Sequence, residues 1–507
     1  MTAGDLTPMT TAEARSAARN AAALAAASVV SKGALFVWQL VLTRLLIQAD
    51  YGIYGTIGGM LVIAATLPEF GMGLIVLRDV ARRTELAGRM LTATLALQPA
   101  LALTAYLGLI LAGWLLGYDQ ALRALLPLAG LSLFVDALGN MVHNQLLARE
   151  QMAIPAAISV AHIFLLIGLV AAALLGGLGL TGLYWATIAA GAARAAAYWV
   201  ALVRCGVGIA WPPEPAIMGE LLANGAPLMI NSLLGTAYQH ADKIIMTATI
   251  GQESTAYLLA AFIIVAGMVE LLSTTVLVAV FPLMSRQYGA GQHAAFNFLV
   301  EKIAFLTLIL TVPIGVAIST LASTLVALLF SPAYTRTTDI LQVLIWYGVV
   351  TMVANVFAQV LMIQNRQTRL LGIRAAGLAL NITLLLILLP RIGMVGAALG
   401  SLVAESAVTV ALIAQWEGGE EFARRFGPRA LRLAIAGGVM AGVMLGLRGL
   451  SAPSLAGAVG ALLAGIVAYA VGLRALQIIA PDDRGFIRQV LISMPGGAFL
   501  ARVWKQA

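Results

Sequence analysis

The residues of this sequence that could do chemistry are polar side chains spaced at helical intervals inside long apolar segments. Asp136, Asn140, His143 and Asn144 stand at i, i+4, i+7 and i+8, which places all four on one face of a helix. In a membrane, such a face either lines a cavity or forms hydrogen bonds to a neighbouring helix. Because the four include an ionisable pair, we favour the cavity interpretation.

Similar polar stripes occur in three further segments. One runs through Thr351, Asn355 and Gln359, with Arg366 beyond its end. The other two contain, respectively, Asn224, Asn231, Tyr238 and Asp242, and Ser28, Lys32, Gln39 and Thr43. Together with two intramembrane arginines, these stripes predict a substrate cavity lined by Lys32, Gln39, Asp136, Asn140, His143, Asn144, Arg194, Asn231, Asp242, Asn355, Gln359 and Arg374.

The elements that carry these residues are apolar runs long enough to span a bilayer. The composition is 61% hydrophobic and 10% charged, and the mean hydropathy is +0.95, so we treat lipid as the solvent. The opening residues lack the pattern of a secretory signal, and the first run is expected to stay as a helix. About fourteen spans are predicted, at 23–46, 53–76, 91–116, 122–147, 154–176, 180–203, 224–248, 255–284, 303–328, 340–363, 370–390, 393–414, 431–447 and 454–476.

The basic residues show the orientation of the chain and exclude several functions. Most of the 30 Lys and Arg residues fall on the side of the N-terminus, which predicts that both termini are cytoplasmic and explains the net charge of +8 without nucleic acid. A single cysteine, Cys205, and four scattered histidines predict neither a disulfide nor a metal site. We expect no cofactor. We expect that the chain is not an enzyme. Outer connections too short for a catalytic domain weigh against a membrane glycosyltransferase or polymerase, which stays open as the alternative from a different class, and the lack of a phosphate-binding loop argues against ATP hydrolysis by that route.

An internal repeat predicts two six-helix lobes related as parallel copies. Residues 146–149 resemble 363–366, and the Gly-x-x-Gly at 179–182 recurs at 393–396. The proline-rich stretch 211–215 marks the boundary between lobes. The predicted organisation is a cytoplasmic segment 1–22, an N-lobe 23–204, a linker 205–223, a C-lobe 224–415, a basic cytoplasmic loop 416–430, two further spans within 431–478 and a tail 479–507, either amphipathic or disordered.

Several motifs in order resemble a known family. They are Thr43-Arg44-Leu45 with Asp50-Tyr51-Gly52-Ile53-Tyr54, Glu69-Phe70-Gly71-Met72-Gly73, Asp242-Lys243-Ile244-Ile245-Met246, and Phe281-Pro282-Leu283-Met284-Ser285. This series resembles the polysaccharide-biosynthesis flippases of the multidrug/oligosaccharidyl-lipid/polysaccharide (MOP) exporter superfamily. The resemblance implies an all-α membrane protein with two lobes in a V around a central cavity that opens alternately to each side.

The same resemblance implies a function. The cargo would be an undecaprenyl-diphosphate-linked oligosaccharide, moved across the bacterial inner membrane for O-antigen, capsule or exopolysaccharide synthesis, and the partners would be a polymerase and glycosyltransferases. Two relatives stay open as alternatives. A cation-coupled multidrug antiporter would have an aromatic-rich cavity with one dominant carboxylate, and a lipid II flippase would show motifs that are not evident here.

The intramembrane charges have competing interpretations, because an unpaired cation at mid-bilayer costs about 3 kcal/mol or more. Lys32, Arg194 and Arg374 would contact a diphosphate or an acidic sugar, or pair with Glu69, Asp136, Asp242, Glu270 or Glu405. Asp136, Glu270 and Glu405 are candidates for coupling to Na+ or H+. We assign Lys243 and Arg44 a gating or structural role; Lys243 directly follows Asp242, and helix neighbours do not face each other.

Overall fold

The computed structural model describes residues 11–149, 151–450 and 455–479, with the backbone alone for 11–27 and 271–280. Within these ranges the regular structure is helical throughout. Thirteen of the described helical segments, with residues 120–148 counted as one, are long and apolar enough to cross a membrane, so the chain is an all-α, multi-pass membrane protein, as predicted. The helices are α1 Thr11–Leu45, α2 Gln48–Glu69, α3 Met72–Arg82, α4 Ala87–Leu115, α5 Gln120–Gly130, α6 Ser132–Ala148, α7 Ala153–Leu175, α8 Gly179–Arg204, α9 Pro215–Ile250, α10 Gln252–Gly289, α11 His293–Thr320, α12 Ala322–Leu329, α13 Thr337–Ile363, α14 Gln367–Ile392, α15 Met394–Gln415, α16 Gly419–Leu450 and α17 Leu455–Ala475.

Three predicted spans are each divided into two helices. The span predicted at 53–76 ends as α2 and restarts as α3, because Phe70 and Gly71 have φ values of 45° and 68°, which no helix accommodates. The span at 122–147 breaks at Leu131, whose N–H donates to the carbonyl of Leu128, only three residues back. The span at 303–328 breaks at Leu321, between α11 and α12.

Two predicted loops are partly helical. The linker predicted to run to residue 223 gives way to α9 at Pro215, because proline is well suited to the first helical position. The basic segment predicted as a loop at 416–430 is helical from Gly419, where α16 begins. Glu420 and Glu421 lie in its first turn, where negative charge interacts favourably with the helix dipole. Glu421 lies 2.5 Å from Arg425, one turn later.

By its contacts the chain divides into two compact units, residues 1–248 and 249–507. In the first unit, α6 packs against α2, α3, α4 and α8. An apolar cluster containing Val80, Leu91, Leu146, Tyr198 and Leu221 joins α3, α4, α6, α8 and the start of α9. The contact boundary lies one helix after the predicted linker, and the assignment of α9 to a C-lobe stays a prediction.

The second unit holds α16 and α17 against α11. Met440 and Met444 of α16 and Tyr469 of α17 belong to the same buried cluster as residues of α11. The hydroxyl of Tyr469 donates to the carbonyl of Ile309 at 3.0 Å. Glu301 of α11 accepts from Arg429 of α16 at 3.2 Å. The two final helices are therefore an integral part of this unit.

Candidate substrate cavity in the first unit

The centre of the candidate site is an ion pair between α6 and α8. Nη2 of Arg194 donates to Oδ1 of Asp136 at 2.7 Å, and the two side chains are 19% and 45% exposed. Glycines allow the close approach of the helices: a Cβ on Gly191 would lie 3.2 Å from Val135 Cγ1, and a Cβ on Gly139 would lie 3.5 Å from the Cβ of Ala195. The charge-assisted bond offsets part of the cost of placing both charges among membrane helices.

Two cavities share Asp136 and Asn140 in their linings, and Arg194 lines the second of them. The first, about 450 Å³ including open space at its mouth, extends towards α2 and α4 and reaches Glu69, Gln98 and Asn144. The second, about 580 Å³ measured in the same way, reaches His162 of α7 and Thr187 and Arg194 of α8. The arrangement provides carboxylate and amide acceptors beside guanidinium and hydroxyl donors, within helices that are otherwise apolar.

His143, two turns along α6 from Asp136, binds neighbouring helices instead of lining either cavity. Its Nδ1 lies 3.2 Å from the hydroxyl of Tyr198, and that hydroxyl lies 2.9 Å from Oγ of Ser159. The three residues connect α6, α8 and α7. They hold the helices that carry Asp136 and Arg194 in place, which is the helix-bonding role that competed with cavity lining in the sequence.

The structure adds cavity residues that the stripes did not predict as site residues. Glu69, which the sequence predicts as a partner for a cation, and Gln98 both line the first cavity. His162, one of the four scattered histidines, lines the second cavity. It is the one ionisable residue in α7, and an ionisable group in an otherwise uncharged membrane helix is itself a functional signal.

The predicted residues of α1 and α9 lie elsewhere in the first unit. Gln39 accepts from the hydroxyl of Tyr51 at 3.1 Å and donates to that of Tyr54 at 3.4 Å. Lys32, Arg44 and Asn231 are exposed, and neither cavity is lined by them.

Asp242 and Lys243 correct one sequence argument. Both residues are buried, at 3% and 7% exposure. Nζ of Lys243 lies 3.3 Å from Oδ1 of Asp242 and donates to the carbonyl of Gln239 at 2.7 Å. The expectation that these neighbours do not face each other was wrong, because the long lysine side chain folds back along the helix.

The predicted residues of the second unit lie on α10, α13, α14 and α15. Asn355 and Gln359 are half-buried on α13, and Glu270 is exposed on α10. Nη1 of Arg374 lies 3.6 Å from Oε1 of the fully buried Glu405. Among the described residues, no group of three His, Cys, Asp or Glu side chains could hold a metal ion.

Two family models match the chain. A model of the polysaccharide biosynthesis protein family matches residues 17–287, and a model of lipid II flippase MurJ matches residues 155–468. Each match covers more than half of the sequence. The chain belongs to the MOP exporter superfamily, which contains both families. The resemblance inferred from the motifs is confirmed, and both families consist of transporters, not enzymes.

Solved structures of MOP exporters share the fold. A lipid II flippase MurJ in an inward closed conformation aligns with a TM-score of 0.68 at 14% identity, over 88% of this chain and 99% of that one. An inward-facing multidrug resistance MATE transporter aligns with a TM-score of 0.62 at 17% identity, over 78% and 95%. The eukaryotic MATE transporter AtDTX14 aligns with a TM-score of 0.57 at 16% identity, over 80% of this chain and 98% of that one. These identities show the fold alone, and no curated protein sequence matches the chain.

Proposed function

We propose that this MOP exporter is a flippase that moves an undecaprenyl-diphosphate-linked oligosaccharide from the cytoplasmic to the outer leaflet of the bacterial inner membrane, by alternating access. The product would serve O-antigen, capsule or exopolysaccharide assembly. The observation that carries the proposal is the pair of cavities that share Asp136 and Asn140, the second of which is also lined by Arg194. A lipid tail stays in the bilayer during transfer, whereas sugar hydroxyls and phosphates need polar partners there.

The chemistry of the cavities suits a glycan head group. Asp136, Asn140 and Asn144 accept hydrogen bonds from hydroxyls, and the guanidinium of Arg194 suits a phosphate oxygen or an acidic sugar. The described lining of both cavities includes no Phe, Tyr or Trp. An aromatic-rich lining is what a multidrug antiporter would be expected to offer, so the cavities favour the lipid-linked glycan.

Transport of lipid II is the second candidate function. The match of the MurJ model to residues 155–468 favours it. The cavities supply polar groups suited to the saccharide of lipid II and to that of another oligosaccharide lipid. The two candidate functions are therefore distinguished by which head group the protein transports.

Several finer assignments belong to the same proposal. Lys32 and Arg374 are proposed as further contacts to an anionic head group. Asp136, Glu270 and Glu405 are proposed as sites where Na+ or H+ couples to transport, Arg44 and Lys243 as gate or structural residues, and both termini as cytoplasmic. A polymerase and glycosyltransferases of the same pathway are the proposed partners.

The test is reconstitution of the purified protein in liposomes with a fluorescent undecaprenyl-diphosphate oligosaccharide in the inner leaflet. Its appearance in the outer leaflet would be compared for wild type, Asp136→Asn, Arg194→Gln and Arg374→Ala, with exposed Arg391→Gln as the control. We expect protein-dependent flipping that falls at least tenfold in Asp136→Asn and Arg194→Gln and is unchanged in the control.

Each other outcome has a definite meaning. Flipping unaffected by both cavity variants would retain the flippase and reject this cavity as the substrate site. Flipping of lipid II but not of other oligosaccharide lipids would establish the second candidate. Transport of cationic drugs without any lipid flipping would contradict both. Full-rate flipping without an imposed gradient would remove the ion-coupling proposal.

A further inference from the structure

A basic and apolar surface at one end of the first unit is not used by the proposed function. On α3, Met72, Ile75, Val76 and Val80 are buried in the apolar cluster of the first unit. The opposite side of α3 carries Leu74, which is 63% exposed, and Arg78, whose side chain is 53% exposed. Arg82 and Arg83, at the end of the helix, are also exposed.

The segment between α8 and α9 covers the same cluster and adds two apolar side chains to this end of the unit. Val207 is buried in the cluster. The segment lies along the start of α4, where a Cβ on Gly88 would be 2.7 Å from the carbonyl oxygen of Gly208. The N–H of Ala210 donates to Oγ1 of Thr92 at 2.9 Å.

Ile209 and Trp211, which flank this anchored backbone, are 57% and 77% exposed. We call the surface formed by Leu74, Arg78, Arg82, Arg83, Ile209 and Trp211 the connector platform. A surface that combines an exposed tryptophan with arginines is typical of protein lying at the level of lipid head groups.

The charges around the connector platform leave a positive excess. Asp79 is engaged by Nε and Nη2 of Arg78, at 2.7 and 3.0 Å. Glu214 is engaged by Arg89 in the same two-point manner. Beyond the hydrogen bond from Arg78, which lowers the pKa of Asp79 most, Arg82 and Arg83 act on this residue only through their charges, which help to lower its pKa. Neither forms one of the ion pairs found among the described residues of this surface. The nearby exposed acid Glu85 is a single charge.

We infer that the connector platform binds anionic phospholipids of the adjacent leaflet. Arg82 and Arg83 contact the phosphodiester groups, while Trp211, Ile209 and Leu74 enter the region between head groups and acyl chains. Charge complementarity decides the occupant, because each basic side chain near an anionic membrane surface contributes attraction that a neutral surface does not provide. The apolar side chains select a lipid over a soluble anion, since only a bilayer offers them an apolar environment.

The test uses the fluorescence of Trp211, isolated as the difference between wild type and Trp211→Phe. The full-length protein would be reconstituted in phosphatidylcholine bilayers containing equal fractions of dibrominated phosphatidylglycerol or dibrominated phosphatidylcholine. We expect stronger quenching of the Trp211 component by the brominated phosphatidylglycerol. In Arg82→Gln/Arg83→Gln the preference should fall about fivefold per arginine removed. The matched control, Arg391→Gln/Arg424→Gln, removes two exposed arginines of the second unit and should retain the preference.

The remaining outcomes each decide the inference. Raising the salt concentration to 0.5 M should abolish the preference of the wild-type protein for phosphatidylglycerol. This test does not depend on whether a variant folds. Equal quenching by the two brominated lipids, or an undiminished preference in Arg82→Gln/Arg83→Gln, would overturn the proposal. The two lipids can also be compared as competitors of the brominated phosphatidylglycerol. If undecaprenyl diphosphate relieves the quenching at a far lower fraction of the bilayer than unlabelled phosphatidylglycerol does, the ligand of the connector platform is the substrate lipid and not a phospholipid.

Discussion

The guanidinium of Arg374 lies 3.6 Å from the carboxylate of Glu405, and Glu405 has no exposed surface. A buried charge that loses its partner is left uncompensated, which costs far more than the intact pair contributes. Arg374 is also a proposed substrate contact, so its structural and functional roles must be separated by experiment.

We expect Arg374→Met to lower the free energy of unfolding by about 3 kcal/mol, because it removes the guanidinium that lies beside the buried carboxylate of Glu405. The double variant Arg374→Met/Glu405→Gln should recover most of that loss. Thermal unfolding of wild type, Arg374→Met, Glu405→Gln and the double variant in detergent gives the double-mutant cycle. Normal stability of Arg374→Met combined with lost flipping would instead assign Arg374 to the substrate.

The contact between α9 and the α2–α3 turn allows a second prediction. A Cβ on Gly225 would lie 2.3 Å from the carbonyl oxygen of Phe70, which is backbone and cannot move aside easily. Gly225→Ala should therefore cost about 1–3 kcal/mol. On the same helix, an added Cβ at Gly235 meets nothing within 4 Å, so Gly235→Ala should be neutral or slightly stabilising in the same unfolding measurement. Equal behaviour of the two variants would show that this contact does not form.

An aromatic cluster in the second unit leads to a third prediction. Trp416 is 4% exposed, packs against Phe357 and Phe422, and donates from Nε1 to Oδ1 of Asn297 at 3.1 Å. Trp416→Phe should cost about 1 kcal/mol for the lost hydrogen bond, and Trp416→Ala about 3–5 kcal/mol for the cavity. The exposed Trp185→Phe serves as the control in denaturant titrations. A loss no larger in Trp416→Ala than in Trp416→Phe would contradict the packing argument.

The ion pair between Arg89 and Glu214, which we call the tether of the segment between α8 and α9, should depend on pH. The hydrogen bond from Arg89 and its positive charge hold the pKa of Glu214 below its ordinary value of 4.5, against a smaller desolvation effect. A depressed pKa means that the tether is complete above pH 4.5 and is lost as the pH falls through the lower folded value. A spin label on Cys205, the single cysteine, should become more mobile as the pH falls from 7 to 3.5.

Glu214→Gln is the matched variant for this experiment. It should show the mobile spectrum at every pH, because the amide cannot form the charged pair. A wild-type spectrum identical to that of Glu214→Gln at pH 7 would show that the tether does not restrain the segment.

Most of the helices could be predicted from the sequence, because runs of apolar residues have one stable form in lipid. The breaks within them could not. Gly71 signals a turn, but the positive φ of Phe70 carries no signal in its residue type. The break at Leu131 depends on a backbone hydrogen bond that spans three residues instead of four, and the surrounding leucines do not predict it.

The candidate site could be predicted only in part. The spacing of Asp136 and Asn140 predicts that they share one face of a helix, and the sequence shows Arg194 as a charge inside an apolar span. That Arg194 pairs with Asp136, 58 residues away, depends on how closely Gly139 and Gly191 let α6 and α8 approach. His162 carries only the signal of a single ionisable group in an apolar helix. That Gln98 and His162 both lie at the cavities depends on how the helices pack.

The contacts that fasten α16 and α17 to α11 also order the biogenesis of the chain. Arg429 follows Glu301 by 128 residues, and Tyr469 follows its acceptor Ile309 by 160. At about 5–20 residues per second of synthesis, α11 waits about 6 to 25 s for the first of these partners. During that interval its acidic end and its apolar flank must be sheltered by lipid, by the insertion machinery or by the helices already made. The second unit is therefore completed only when the last two helices have entered the membrane.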